Sequence, residues 1–266
     1  MKVKVSGVES HIATGGKPFD ASLPTVLLLH GSGLDHRSWA LQTRWFAFNG
    51  FSVLAPDFPG HSLSSGDALT SIESTGEWLI EFLRACKVKS VHVVGHSQGF
   101  LSALELYKQA PQAVRSITGV GTAATIPVNP QLIETAKKSP QQAAGMMVQW
   151  SFGQAVHNGA SPIPGMQPIA IGHQIMSQNP LAVDLQCCAD YQGGMDILPT
   201  ITVPKTLILA GQDKMTPKKS GLATAAAMGI EPSVLEEFGH MLPIEAPKEL
   251  LRVLRDFISA SEAANG

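Results

Sequence analysis

The sequence is short of charge, of cysteine and of long apolar runs. Charged side chains make up 15% of its 266 residues and the formal net charge is −2, so there is no basic surface to attract nucleic acid or an acidic membrane. The three cysteines, Cys86, Cys187 and Cys188, are an odd number with two adjacent, a spacing that does not make an ordinary structural cross-link and points to a reducing, cytoplasmic setting. The apolar run Val26–Leu29 is far too short to span a bilayer, and the N-terminal MKVKVSGVESH carries charge with no apolar block behind it. There is no HExxH and no paired Cys/His spacing, so no metal site is expected. Gly119–Ala124 matches the loose dinucleotide pattern GxGxxA, but Pro127 follows too closely for a long helix to open there, and no cofactor is expected.

Hydrophobic residues, at 44%, suffice for one large core plus an insertion, and they rule out a disordered chain. A neutral or small-molecule partner fits this composition, with the protein a monomer or homodimer. Strand-like and helix-like patterns alternate, which predicts an α/β fold with a mostly parallel central sheet flanked by helices. The runs at 25–30, 52–57, 91–95 and 206–210 read as buried parallel strands, and those at 116–120 and 233–238 add two more. KVKV and HIAT near the N-terminus suggest an antiparallel edge. Helical spacing marks 38–48, 71–85, 98–109 and 245–259, after which the small, polar tail SASEAANG is expected to fray. From about Thr122 to Pro204 the strand rhythm stops and short helical pieces such as 140–150 and 181–191 take over. The organisation expected is therefore a core of residues 1–122 and 203–266 with a helical cap, or lid, over 123–202.

Within VHVVGHSQGF, Ser97 lies between Gly95 and Gly99 where a strand pattern meets a helix pattern. A Gly-x-Ser-x-Gly turn of this kind is a known nucleophile elbow: the glycines relieve crowding and the hydroxyl projects above the sheet. The following helix directs free amides at whatever Ser97 attacks, which makes the Gln98 N–H one oxyanion donor. The loop after the strand at 25–30 contributes the second, for which the Ser32 N–H is the best placed. Asp213 in LAGQDKMTP and His240 in EEFGHMLP each follow a strand, in the chain order nucleophile, acid, histidine, and so share the sheet edge with Ser97. Asp213 could instead cap a helix before Pro217. No carboxylate follows the strand at 116–120, while Asp184, Asp190 and Asp196 fall in the cap. His30 and His96 read as loop braces, His36 and His61 as rim or loop residues, and Asp35 with Arg37 as a solvated loop.

The motifs HGSG at 30–33, DFPGHSLSSG at 57–66, GHSQG at 95–99, GQD at 211–213 and GHM at 239–241 stand in an order that resembles the α/β-hydrolase superfamily, in its esterase-like branch with a helical cap. The resemblance covers roughly 20–122 and 203–258. Phe100 departs from it, where many relatives carry a small residue. It implies a serine hydrolase in which Ser97 attacks an acyl carbonyl, His240 relays the proton and Asp213 orients the ring. A small to medium, largely apolar carboxylic ester is the favoured substrate. Carbon–carbon hydrolases and enol-lactonases share the triad and are alternatives, and a ligand-binding protein on the hydrolase scaffold is a reading of another class. The cap would supply the pocket walls through Met146, Met147, Trp150, Phe152, Met166 and Met176, with Met241 beside His240. Lys137 and Lys138 look like a helix surface, so a phosphate-bearing substrate gains no support.

Overall fold

Apolar residues along the central strands divide between two layers by the period-two rule of extended chain. Val26 and Leu28 enter one layer with Val94, Ile208 and Ala210, while Leu27 and Leu29 enter the other with Val93, Leu207 and Leu209. Strands with both faces buried must be covered by helices on both sides, and a parallel sheet results. In the computed structural model, which describes residues 1–265, the strands are β1 (Lys2–Val5), β2 (Val8–Ala13), β3 (Thr25–Leu29), β4 (Ser52–Pro56), β5 (Val91–His96), β6 (Val114–Val120), β7 (Lys205–Ala210) and β8 (Ser233–Leu235). They form one sheet in the order β1-β2-β4-β3-β5-β6-β7-β8. β1 pairs with β2 and β2 with β4 in antiparallel fashion, and the pairs from β4–β3 onward are parallel.

The helices of the core are α1 (Ala40–Phe48), α2 (Ile72–Ala85) and α3 (Gln98–Gln109); those of the intervening segment are α4 (Pro130–Lys138), α5 (Pro140–Ser151), α6 (Gln154–His157), α7 (Pro168–Ser177), α8 (Leu181–Asp190) and α9 (Gly194–Ile197); and α10 (Lys218–Met228), α11 (Leu242–Glu245) and α12 (Pro247–Asn265) close the chain. α1 and α12 cover the first apolar layer through Phe46, Leu250, Leu254 and Ile258. α2, α3 and α10 cover the second through Leu79, Phe82, Leu104 and Met228. Prolines at the first turn start α4, α5 and α7, where a missing N–H costs nothing. These cap helices share an apolar cluster that reaches down to Leu34, Met241 and Ile244 of the core. Among the described residues no helix is long and apolar enough to cross a membrane.

Two expectations are corrected. Gly266 of the expected fraying tail lies outside the described residues, but the rest does not fray after Ser259: α12 continues to Asn265, where Ser261 is buried and Glu262 bonds His92 Nε2 at 2.8 Å and Arg115 at 3.0 Å. Asp35 and Arg37 are not a solvated loop, since Asp35 is fully buried, caps a short 3-10 turn over His36–Trp39 and takes a fork of hydrogen bonds from Arg37.

Candidate active site

The turn between β5 and α3 is held in a strained shape by its surroundings. Ser97 has φ +52° and ψ −120°, outside the regions that an L-residue prefers. Its N–H donates to the Val120 carbonyl at 3.0 Å, and its own carbonyl accepts from Thr122 Oγ1 at 3.0 Å. The flanking glycines are dictated by contact: a Cβ on Gly95 would lie 2.3 Å from Gly99 O, and one on Gly99 would lie 2.5 Å from Leu29 O. The departure at Phe100 is absorbed across the sheet, where the bare Gly119 faces its ring; a Cβ there would stand 2.9 Å from Phe100 Cδ2.

β7 delivers Asp213 and the loop after β8 delivers His240. His240 Nδ1 faces Asp213 Oδ2 at 2.8 Å, and both side chains are almost wholly buried. Asp213 Oδ1 accepts the amides of Met215 and Thr216, each at 2.8 Å. Asp213 therefore does not cap a helix, since α10 starts later with Pro217 as its N-cap; one of its oxygens closes a local turn and the other faces the histidine. Ser97 and His240 line one cavity.

The two expected oxyanion residues are tied together: Ser32 Oγ donates to Gln98 Oε1 at 2.8 Å. Gln98 opens α3, so its N–H is among those that helix geometry leaves over. The Gly31–Asp35 loop that carries the Ser32 amide is closed by Leu34 N–H on Gly31 O at 3.0 Å.

Buried neutral groups surround the pair. His96 directs Nε2 at the His240 carbonyl at 2.9 Å; this nitrogen must be the donor, so Nδ1 carries the lone pair, and no protein group meets it. Burial first, then neighbouring His240, lowers the His96 pKa to about 3. Burial, with His61 beside it, lowers that of His30 to about 4, and His30 Nε2 accepts the Phe58 amide at 3.2 Å. Both act as braces, as expected. Burial pushes the Cys188 thiol up to about 12, so this cavity-lining side chain is held protonated.

The cavity measures about 150 Å³. Leu132, Met147, Trp150, Met176, Leu185 and Met241 make its apolar wall, and Lys214 at the rim is its one lysine. Of the residues expected at the substrate pocket, Met147, Trp150, Met176 and Met241 line this cavity and Met146 and Phe152 do not. On α5 the cavity-facing positions are 147, 150 and 151, one stripe of the helix, and Met146 lies beside that stripe. Phe152 falls past the helix end in extended backbone and is buried with its ring against Gly172. Met166 lies in a separate outer groove with Pro168 and His173.

Several working residues escaped sequence reading. Glu245, buried and with its pKa raised chiefly by that burial, accepts the amides of Gly153 at 2.8 Å and Gly239 at 2.9 Å, stitching the cap to the histidine loop. His61 is no rim residue; it is buried against Asp184 at 2.9 Å. His36 and His11 both turn Nδ1 to Asp57, at 2.7 Å and 3.0 Å. Burial opposes the charge on Asp57, yet the His36 hydrogen bonds keep its pKa low, so the carboxylate accepts from both rings and ties the β2 edge to the loop after β4. The one signal for these partners was their residue type, since, apart from Glu245 with Gly239, the pairs are far apart in sequence.

Residues 26–253 match the family model described as the alpha/beta hydrolase family. The chain belongs to that family. Among curated proteins, this alpha/beta hydrolase is 24% identical to an esterase of Mycobacterium tuberculosis over 94% of its own length and 86% of the relative's. It is 26% identical to an epoxide hydrolase of Caballeronia sordidicola over 53% of its length and 42% of that protein. The chain spans 25%, 42% and 54% of the lengths of three other curated matches, the epoxide hydrolase among them. In fold it is similar to an enol-lactonase from Burkholderia xenovorans LB400, with a TM-score of 0.85 at 20% identity, over 97% of this chain and all of that one.

Proposed function

We propose that this alpha/beta hydrolase is a serine esterase acting on a small to medium, largely apolar carboxylic ester. The observation that carries the reading is the buried Asp213–His240 pair at 2.8 Å, opening on the same cavity as the strained Ser97. In this reading Ser97 Oγ attacks the acyl carbon while His240 Nε2 takes its proton, and Asp213 holds the ring in the tautomer that leaves Nε2 free. The carbonyl oxygen, now negative, is met by the amides of Ser32 and Gln98. His240 then protonates the departing alcohol, and water repeats the sequence on the acyl-enzyme to regenerate Ser97.

The apolar wall favours an uncharged acyl group. Enol-lactone and carbon–carbon bond hydrolysis use the same three side chains and differ in the leaving group alone. Covalent epoxide hydrolysis fits less well, because serine opening an epoxide makes an ether, which water does not cleave under these conditions. A ligand-binding role would need neither the strained serine nor the oriented histidine.

The test is labelling of purified protein with a fluorophosphonate, then turnover of nitrophenyl esters from short to long acyl chains, beside Ser97→Ala. Labelling at Ser97 with turnover peaking at one chain length supports the esterase. Labelling without ester turnover moves the substrate to lactones or carbon–carbon bonds, and absence of labelling overturns the serine mechanism.

A further inference from the structure

The loop that presents the Ser32 amide is held from the cap as well as from the core. Asp184, on α8, accepts the Gly33 N–H through Oδ2 at 2.6 Å. Asn179, just before α8, donates from Nδ2 to the Gly33 carbonyl at 3.1 Å and to Asp35 Oδ2 at 3.0 Å. The two peptide units that follow the proposed donor are thus gripped on both sides by one stretch of the cap. Contact is equally close: Gly33 has φ +66°, and a Cβ there would lie 2.7 Å from Leu181 Cδ1. Leu181, Asp184, Leu185 and Cys188 follow helical spacing and are all buried, which turns one face of α8 onto this loop.

Both gripping residues are themselves fixed. Asp184 Oδ2 also meets His61 Nε2 at 2.9 Å, and Asn179 Oδ1 accepts the Ser62 amide at 2.8 Å. His61 and Ser62 belong to the loop after β4, so the cap bridges two loops of the sheet edge. From the core side the same loop is held by Leu34 N–H and His30 Nδ1 on the Gly31 carbonyl, each at 3.0 Å, and by the Ser32 hydroxyl on Gln98; the backbone partners of Gly33 lie in the cap.

We propose that Asn179 and Asp184 are positioning residues for the oxyanion hole, so that the Ser32 donor is set in place by the seated cap and not by the sheet alone. This deepens the serine-hydrolase reading and rests on it. It assigns the cap a part in the rate of the chemical step as well as in substrate fit. Its signature is a loss of transition-state stabilisation without loss of ground-state binding.

Three variants and two readouts test it. Removing an oxyanion donor outright costs about 10²–10³-fold in kcat, so a donor displaced in Asp184→Leu should cost about 10- to 100-fold, with KM within twofold. A trifluoromethyl ketone, whose adduct places its oxygen in the hole, should weaken by the same factor. Asp184→Asn keeps an acceptor oxygen for Gly33 and should recover most of the rate. Asn179→Ala should behave like Asp184→Leu, and it serves if the leucine variant fails to fold. Amide exchange at Gly33 should accelerate in both. Unchanged kcat and ketone affinity in a variant whose Gly33 amide exchanges faster overturns the proposal, as does a loss confined to KM. Wild-type protein inert to fluorophosphonate sinks the serine mechanism instead; Gly33 exchange then still decides whether the cap holds the loop, and an unchanged rate in Asp184→Leu rejects it.

Discussion

His96→Gln should flatten the acid side of the stability curve. His96 is fully buried, and its Nε2 donates to the His240 carbonyl at 2.9 Å; the ring of His240 lies 4.9 Å away, centroid to centroid. Burial and that neighbour lower its pKa from 6.5 to about 3. The native state therefore excludes a proton that the unfolded chain accepts. The sign follows: the contribution is fully present above pH 6.5 and is lost as pH falls toward about 3. At about 1.4 kcal/mol per pH unit, the whole span is worth ~5 kcal/mol. His30, lowered to about 4, adds a loss of the same sign over a shorter span. His61, raised by Asp184 against the effect of burial, has the opposite sign: its contribution is complete below 6.5 and is lost as pH rises through its higher native value. In Gln, Nε2 reproduces the donor to the His240 carbonyl without a titrating ring. Urea unfolding at pH 7, 6, 5 and 4.5 should then show wild type losing about 1.4 kcal/mol per pH unit more than the variant below pH 6. Parallel curves for the two proteins would show instead that His96 takes up its proton in the folded state at ordinary pH.

Asp213→Asn should lower kcat by about 10⁴-fold with KM near the wild-type value, by analogy with the same change in other triads; an unchanged rate in the nitrophenyl ester assay would point to another acid. Gly99→Ala should destabilise by roughly 1–3 kcal/mol or more, since the new methyl meets the Leu29 and His30 carbonyls at 2.5 Å and 2.8 Å, and a urea midpoint equal to wild type would show that the elbow has room to spare. Glu262→Ala should cost about 1–2 kcal/mol by leaving the buried His92 Nε2 without its partner; no change in the midpoint would show that the last turns of α12 contribute little.

The core was legible because its signals are local. TVLLL and VHVVG are bounded runs whose alternation sorts side chains to two layers, and Gly95, Ser97 and Gly99 mark a turn that only small residues can make. The edge shared by Ser97, Asp213 and His240 followed from chain order on a parallel sheet. What stayed hidden depends on contacts between distant segments. Asp184 and His61 are 123 positions apart and Asp184 and Gly33 are 151 apart, so nothing beside either residue announces the other. The tail misled for the same reason: SASEAANG is polar and small, and the Glu262 contacts with His92 and Arg115 lie on strands far upstream. In the cap, methionine composition indicated an apolar pocket, but which face of α5 looks inward is set by how the helix lies on the core. Met146 and Met147 were both expected at the pocket, and the rotation that admits Met147 alone is not encoded in the local sequence.

Asp213 shows why weighing one role against another can be misleading in such a site. As a turn residue it accepts two amides on Oδ1, and as a catalytic acid it would face His240 through Oδ2. The first arrangement serves the second: two amide donors fix the carboxylate plane and so aim the remaining oxygen at Nδ1. Glu245 acts alike at one remove, its two oxygens joining Gly153 of the cap to Gly239 beside the histidine. The same economy recurs at Asp184, where a single oxygen meets both His61 and the Gly33 amide. Each buried carboxylate near the cavity has backbone amides as partners on a loop that carries, or adjoins, a candidate catalytic group. A carboxylate buried for stability alone would have no reason to choose those loops, and replacing it with an apolar residue would cost less than leaving it unpaired. On the serine-hydrolase reading proposed above, these carboxylates hold the loops of Ser32, Asp213 and His240 in alignment.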